Sequence, residues 1–438
     1  MNNRWFQLCA SLVAMIMIAN LQYAWTLFVK PLQAGTAWKL SDIQFAFTLF
    51  VLFQTWIQPL DGWLIDRLGP RGFIGAAGLL CGLGWAGMGY ATTLPMLYGL
   101  YCVAGIGAAF VYSGSMGSAL KWFKERRGLA AGIMAAGFGG GTALSIPIIS
   151  STIASHGYRA AFISTGVFQG VVIVAVAQFL RHPTAAATPG TPRLSGAPQL
   201  GHGSSTVREL QGRPEQSRGA TGSGRQPAAE GRHFTTAEML RTPQFYVMYV
   251  MFVLMATGGL LVTAQAGPIA TSWGYTAAAL TLAASLSPLA NAASRIFWGW
   301  ASDGIGRETT MVVAFLLQAV CLLLVLLLGQ RSGGWFAFTL VLVYFTWGEI
   351  YALFPSTVAD YFGTRHATSN YGVLYTAKGV ASIIGGWFGA FLYEQFGSWS
   401  VGFYGSAAMA LVAACLAVGL RAAAAASRAA ATVPAAAK

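Results

Sequence analysis

Two short segments of the chain decide its fold. Gly62 to Gly69 reads GWLIDRLG, and Gly299 to Gly306 reads GWASDGIG. Glycine, tryptophan, aspartate and a second glycine recur at matching positions with one constant spacing, which Pro31 and Pro268 also share. Each segment follows an apolar stretch, so the pattern predicts two parallel repeats related by an axis along the membrane normal.

The composition around these segments is typical of a membrane protein. Of the 438 residues, 55% are apolar and 9% are charged, whereas soluble domains carry about 25% charged residues. So few charges exclude a disordered chain, a nucleic-acid-binding domain and a soluble multidomain enzyme. We therefore expect an all-α polytopic membrane protein whose outer surface contacts lipid.

A polar segment divides the chain into two halves. Residues 182–243 are rich in Pro, Gly, Ser, Thr and Arg, which predicts a mostly disordered cytoplasmic linker. The predicted domains are an N-terminal half (1–181), this linker, a C-terminal half (244–421) and an Ala-rich cytoplasmic tail (422–438). Since a span needs about 20 apolar residues, twelve transmembrane helices are predicted, at 5–28, 43–64, 72–92, 96–119, 129–152, 158–180, 244–267, 277–300, 309–329, 334–357, 367–393 and 399–420.

The positive charges predict the orientation. The formal net charge is +13, and most of the 26 Lys and Arg residues lie in connectors on one side of the predicted spans. Because cationic loops stay on the cytoplasmic side, we expect both termini to be cytoplasmic.

Two cations, Arg295 and Lys378, lie inside predicted spans. A cation at mid-bilayer costs about 2.5–3.5 kcal/mol on insertion scales, so such a residue indicates a functional site. The only acids within spans are Asp61 and Glu349. Arg295 could instead pair with an acid or extend to the cytoplasmic interface. Glu349 could be a buried structural residue or a proton carrier.

Polar and aromatic side chains form faces on the helices that carry these cations. With 3.6 residues per turn, Tyr371, Tyr375, Lys378 and Ser382 share one arc. Further groups are Ser287 and Asn291 beside Arg295, the pair Trp347 and Tyr351, and Gln22, Tyr23, Gln44, Gln54, Gln58, Tyr101 and Tyr112 in the N-terminal half. Two cations among rings and neutral donors predict a site for a small anion with two negative ends. Simple packing of the rings, or interhelical hydrogen bonds of the Gln side chains, is the alternative.

The pattern from Gly62 to Arg71, G-x-x-x-D-R-x-G-x-R, resembles the loop signature of the major facilitator superfamily. The two six-helix halves and the long central loop fit this resemblance. We expect the loop to act as a conformational latch; a turn that only sets topology is the alternative. The latch residues would be Gly62, Asp66, Arg67, Gly69 and Arg71, with Gly299, Asp303 and Gly306 in the second copy.

Several stretches resemble one branch of that superfamily, the oxalate:formate antiporters. They include Gln22 to Thr26, Arg127 to Gly132, Trp347 to Pro355 and Asn370 to Gly379. The resemblance implies that Arg295 and Lys378 hold the dicarboxylate, among Tyr23, Gln44, Tyr112, Trp347 and Tyr351; the helical arc adds Tyr375. Phe138 replaces a tyrosine expected from the resemblance, which removes one hydroxyl donor.

The predicted function is exchange of small mono- and dicarboxylates, with oxalate entering and formate leaving, by alternating access in the bacterial inner membrane. We expect a monomer that is not an enzyme and needs neither a cofactor nor a metal. The main alternative is a proton-coupled monocarboxylate symporter. Such proteins carry an aspartate where this chain has Asn291. A non-transporting membrane sensor is a remote alternative.

Overall fold

The computed structural model describes residues 3–123, 127–181 and 233–432, and gives the backbone alone for 61–68, 127–129 and 426–432. No β-strand occurs in these ranges. The α-helices they contain are, in chain order, α1 (Arg4–Tyr23), α2 (Trp25–Thr36), α3 (Leu40–Trp56), α4 (Gln58–Gly87), α5 (Leu94–Trp122), α6 (Arg127–Gly140), α7 (Ser145–Ala177), α8 (Thr236–Met239), α9 (Pro243–Ser272), α10 (Ala277–Ile305), α11 (Arg307–Leu327), α12 (Gly333–Trp347), α13 (Ile350–Phe362), α14 (Ala367–Ser382), α15 (Gly389–Phe396) and α16 (Ser400–Thr432).

Glycines in the repeated segments share an unusual backbone conformation. Gly69 has φ +67° and ψ 164°, and its repeat mate Gly306 has φ +91° and ψ 152°. Only glycine adopts this region without strain, because it lacks a Cβ atom. Gly157 makes a similar bend in α7, with φ +80° and ψ 166°. The matched bends at Gly69 and Gly306 agree with the internal repeat seen in the sequence.

The number of membrane crossings differs from the sequence-based count. Among the described residues, nine helical stretches are long and apolar enough to cross a membrane, against twelve predicted. Two predicted spans, 129–152 and 158–180, overlap one continuous stretch, Ala130–Ala177. Two others, 277–300 and 367–393, are helical but not among the nine, and they are the spans that carry the cations. All-helical membrane architecture is confirmed, whereas the count of twelve stays a prediction.

Small residues allow the helices within each half to pack closely. In the N-terminal half α4 lies against α5 and α7, and in the C-terminal half α10 lies against α12 and α11 against α16. A Cβ atom on Gly84 would lie 2.6 Å from the backbone N of Ala104 in α5. One on Gly385 would lie 2.6 Å from the Thr257 carbonyl oxygen in α9. Backbones in direct contact are typical of helix packing in lipid, where hydrophobic burial does not drive association.

The two halves meet along α3 and α14, α6 and α10, and α2 and α9. We call the end with the α2–α3 and α15–α16 turns the outer end. There Gln44 Nε2 donates to the Ala264 carbonyl oxygen at 2.7 Å, and the Gly267 backbone N–H donates to Thr26 Oγ1 at 2.5 Å. These bonds close the outer end between the halves.

The structure covers only parts of the predicted linker and tail. Residues 182–232 and 433–438 lie outside the described part of the chain. The far end of the linker is tied to the C-terminal half, because the Phe234 backbone N–H donates to Phe362 O at 2.9 Å. Asn370 Nδ2 in turn donates to Phe234 O at 3.1 Å. Helix α16 continues past the predicted boundary at 421 to Thr432.

Candidate functional site

Arg295 and Lys378 lie between the two halves, on the helices α10 and α14 that face the N-terminal half. Lys378 is 0% exposed and Arg295 is 6% exposed. The alternative in which Arg295 extends to the cytoplasmic interface therefore does not fit, since its guanidinium is buried against α6. Both charges sit where the protein, rather than water or lipid headgroups, must stabilise them.

Lys378 reaches across to the N-terminal half. Its Nζ donates to Gln22 Oε1 at 2.9 Å and to Gln54 Oε1 at 3.0 Å. Within its own helix it donates to the Tyr375 hydroxyl at 3.3 Å. Amide and hydroxyl oxygens satisfy the hydrogen bonds of an ammonium group but bring no negative charge. The ammonium thus keeps an uncompensated positive charge.

Arg295 is held by neutral groups as well. Its Nη1 donates to the Ala135 carbonyl oxygen of α6 at 2.7 Å, and its Nη2 donates to Asn291 Oδ1 at 2.9 Å. The guanidinium carbon lies 4.4 Å from the centre of the Tyr351 ring, within cation–π range. Among the residues that the structure describes, Arg295 Nε is buried without a hydrogen-bond partner. One N–H of the guanidinium is therefore free to bind a ligand.

Acids do not neutralise either cation in the described part of the chain. The ion pairs found there join Arg307 to Asp303 at 2.9 Å and to Asp360 at 3.4 Å, near the C-terminal end of α10. Glu349 is completely buried, and neither of its oxygens has a hydrogen-bond partner among these residues. Among the described side chains, therefore, nothing supports the structural-pair interpretation of Arg295, and no acid there balances the two cations.

Aromatic rings enclose the ammonium group. Lys378 Nζ lies 5.7 Å from the centre of the Phe138 ring, 5.9 Å from that of Tyr351 and 5.4 Å from that of Tyr375. Tyr112 stacks on Tyr375 with ring centres 6.2 Å apart, and Tyr23 lies 5.8 Å from Phe138. Rings around a cation exclude water, and their flat faces favour a small planar ligand.

Some polar atoms of this aromatic enclosure have no partner in the described part of the chain. The Tyr351 hydroxyl and the Trp347 indole N–H are buried there without a hydrogen bond. Trp347 also packs on α9, because a Cβ on Gly259 would lie 2.1 Å from its ring. Unmade hydrogen bonds of buried groups are costly, so these atoms are candidates to contact a ligand.

Gln44 is the predicted site residue that the structure separates from the cations. Its Oε1 accepts from Trp25 Nε1 at 3.0 Å, and its Nε2 donates to Ala264 O and to Gln265 Oε1. Both ends of the amide are therefore satisfied, and its Nε2 joins the two halves at the outer end. Gln22 and Gln54 contact Lys378, whereas the sequence analysis placed Gln44 there. The only feature of the sequence that could have pointed to Gln22 and Gln54 is that both are amides inside apolar helices.

The predicted latch loops are partly described. Gly62, Asp66 and Arg67 lie outside the residues whose side chains the structure describes. Arg71 Nε donates to the Leu180 carbonyl oxygen at 3.0 Å, which ties the loop to the end of the N-terminal half. In the second copy Asp303 pairs with Arg307, a residue that the sequence pattern did not single out.

Gly299 of the second copy has space around it for a side chain. A Cβ atom there would meet only Ala352, at 4.0 Å, which is an ordinary contact. Close approach of two helices therefore does not explain this glycine in the described structure.

Buried cations between two related helical halves are typical of the class of membrane transporters built from internal repeats. Comparisons with known proteins agree. The profile of the Major Facilitator Superfamily matches residues 9–265 and 247–435. The chain belongs to this superfamily and, within it, to the oxalate:formate antiporter family.

The relatives include transporters of two kinds. An oxalate:formate antiporter of Oxalobacter formigenes is 37% identical over 95% of this chain and 91% of its own length. Monocarboxylate transporter 12-B of Danio rerio is 26% identical over 85% of this chain and 76% of its own length. An uncharacterized MFS-type transporter of Escherichia coli, YhjX, is 25% identical over 87% of this chain and 86% of its own length.

Proposed function

We propose that the chain exchanges small carboxylates across a bacterial inner membrane by alternating access, taking up oxalate and releasing formate. The observation that carries this proposal is the pair of buried cations, Arg295 and Lys378, bound by neutral groups of both halves. A dianion would supply the missing negative charges. The 37% identity to the Oxalobacter formigenes antiporter supports this substrate class.

Each cation has a distinct role in this proposal. Arg295 binds one carboxylate through its guanidinium, which can form two parallel N–H···O bonds, and Lys378 attracts the other as a point charge. Tyr23, Tyr112, Trp347, Tyr351 and Tyr375 form the walls and supply donors. Gln22 and Gln54 hold the Lys378 ammonium toward the N-terminal half. Gln44 stabilises the closed outer end.

The charge balance explains why the transport is exchange. Moving the halves with an unliganded site would keep two like charges buried without a counterion, which is unfavourable. A bound carboxylate lowers this cost and permits the movement in both directions. If oxalate enters as a dianion and formate leaves as a monoanion, one net negative charge moves inward. Each such charge is worth about 2.3 kcal/mol per 100 mV.

We propose a topology of twelve membrane crossings with both termini in the cytoplasm. The protein would function as a monomer surrounded by lipid. Bends at Gly69 and Gly306 lie at equivalent places of the two halves. The loop of Gly62, Asp66, Arg67, Gly69 and Arg71, and that of Gly299, Asp303 and Gly306, would fasten the cytoplasmic ends in one state and release them in the other.

Labelled oxalate uptake by proteoliposomes tests this function. Vesicles preloaded with formate or oxalate should accumulate label, and vesicles loaded with neither should not. A pH gradient should leave the rate unchanged. Pyruvate or lactate entry driven by a pH gradient, without oxalate uptake, would contradict the exchange and favour a monocarboxylate symporter.

A further inference from the structure

Glu394 joins the two halves at the outer end, away from the substrate site. Its Oε1 accepts from the Ser41 backbone N–H at 2.8 Å, and its Oε2 accepts from Ser41 Oγ at 2.7 Å. Ser41 lies in the first turn of α3 and Glu394 in α15, so a single carboxylate bridges the N-terminal and C-terminal halves. Such charge-assisted bonds at a helix start are stronger than neutral ones.

The helix that carries Glu394 is separated from the helix that carries Lys378. Between α14 and α15 lies a π-helical segment, Ile383–Phe388, and such segments frequently occur at functional sites within helices. The segment is held to both halves, because the Trp387 backbone N–H donates to Thr48 Oγ1 at 3.2 Å and Gln265 Nε2 donates to Gly386 O at 2.8 Å. A π-helical segment thus separates the helix that carries Glu394 from the helix that carries Lys378.

We propose that Glu394 is the latch of the outer gate: it fastens α15 to the start of α3, and its release, with bending at the π-helical segment, opens the site to the outside. This inference rests on the alternating access proposed above. Glu394 is thus a positioning residue and does not touch the substrate. Other charged groups at this point are Lys39, which precedes α3, and Asp42 in its first turn.

Accessibility from the outside tests the latch without using any substrate. Ser287 is 2% exposed and lines a small enclosed space with Tyr23, Thr26 and Tyr344, on the outer side of Arg295. A Ser287→Cys reporter, in a full-length chain whose five native cysteines are replaced, can be labelled with a membrane-impermeant maleimide. Glu394→Gln and Glu394→Ala should raise the labelling rate about tenfold, which corresponds to about 1.4 kcal/mol of lost closure.

Two further variants make this test specific. Ser41→Ala removes one of the two donors and should raise the labelling rate by less than Glu394→Ala does. Ser398→Ala, in the neighbouring turn, loses only bonds to Ser400 and should label at the parental rate. Labelling of both Glu394 variants at the parental rate, in protein that is folded by circular dichroism, would overturn the latch.

A covalent latch gives an independent readout. Ser41→Cys combined with Glu394→Cys, joined by a short reducible cross-linker, should stop exchange, and reduction should restore it. Undiminished exchange by the cross-linked protein would overturn the proposal. The labelling experiment keeps its meaning even if oxalate is not the substrate, so failure of the latch and failure of the proposed function remain distinguishable.

Discussion

The N-terminal and C-terminal halves share a backbone plan but differ in charge. Both buried cations belong to the C-terminal half, on α10 and α14. The repeat mate of Arg295 is Gln58, and the mate of Lys378 falls near Phe138. The N-terminal half thus contributes amides, a backbone carbonyl and rings, while the C-terminal half contributes the charge. Two copies of a repeat can therefore share a backbone plan while only one copy carries the charge that we propose binds the substrate.

Lys378→Gln should have the largest effect, because it removes one of the two buried positive charges of the C-terminal half. We expect oxalate exchange to fall at least about 100-fold, the equivalent of about 2.8 kcal/mol. Uptake into formate-loaded proteoliposomes measures it. Arg331→Gln, a change at an exposed cation between α11 and α12, should leave the rate unchanged. Normal exchange by Lys378→Gln would remove this residue from the site.

Asn291→Asp should have the next largest effect. It places a carboxylate at the position where Asn291 Oδ1 now lies 2.9 Å from Arg295 Nη2. An ion pair with its own helix would neutralise the guanidinium, so oxalate affinity should fall about tenfold or more. Competition by unlabelled oxalate in the uptake assay gives the affinity. Unchanged affinity would indicate that Arg295 does not bind the dianion.

Replacing the amides of the N-terminal half should have a moderate effect that depends on position. Gln54→Leu leaves Lys378 without one acceptor, which costs about 1–3 kcal/mol, so oxalate affinity should change about fivefold or more. Gln44→Leu, an identical change at an amide that does not contact either cation, should leave affinity unchanged and loosen the outer end. Equal effects on affinity would contradict the distinct roles of the two residues.

The smallest effect is expected from Tyr351→Phe. The hydroxyl is buried and unpartnered in the described structure, so its loss should not lower stability. If it donates to a carboxylate oxygen of the substrate, oxalate affinity should fall about threefold, a small loss because other donors of the site still bind the same carboxylate. Thermal unfolding with and without oxalate separates the two effects. A lower melting temperature in the absence of oxalate would show that the hydroxyl supports the fold instead.

The sequence was sufficient to predict the all-helical membrane class, the repeat and the two cations. Hydropathy and spacing are local properties, and a cation within an apolar helix is a strong signal. The sequence could not distinguish Gln44 from Gln22 and Gln54, because each is an amide in an apolar helix. Which one meets Lys378 depends on how α3 and α14 pack, and that is a property of the assembled halves.

The hydrogen bonds at the outer end could not be predicted from the sequence either. Ser41 and Glu394 are far apart in the chain, and each is an ordinary polar residue near a helix end. The number of spans stays a prediction for a related reason. The helices that carry Arg295 and Lys378 gain polar residues for the site and so lose hydropathy.

The membrane potential generated during exchange tests the central claim most directly. That claim is that two uncompensated cations of the C-terminal half bind a dianion that a monoanion replaces. Addition of oxalate to formate-loaded proteoliposomes should generate an inside-negative potential, recorded with a voltage-sensitive dye, and Lys378→Gln should abolish it. Rapid oxalate–formate exchange without any potential would contradict the claim.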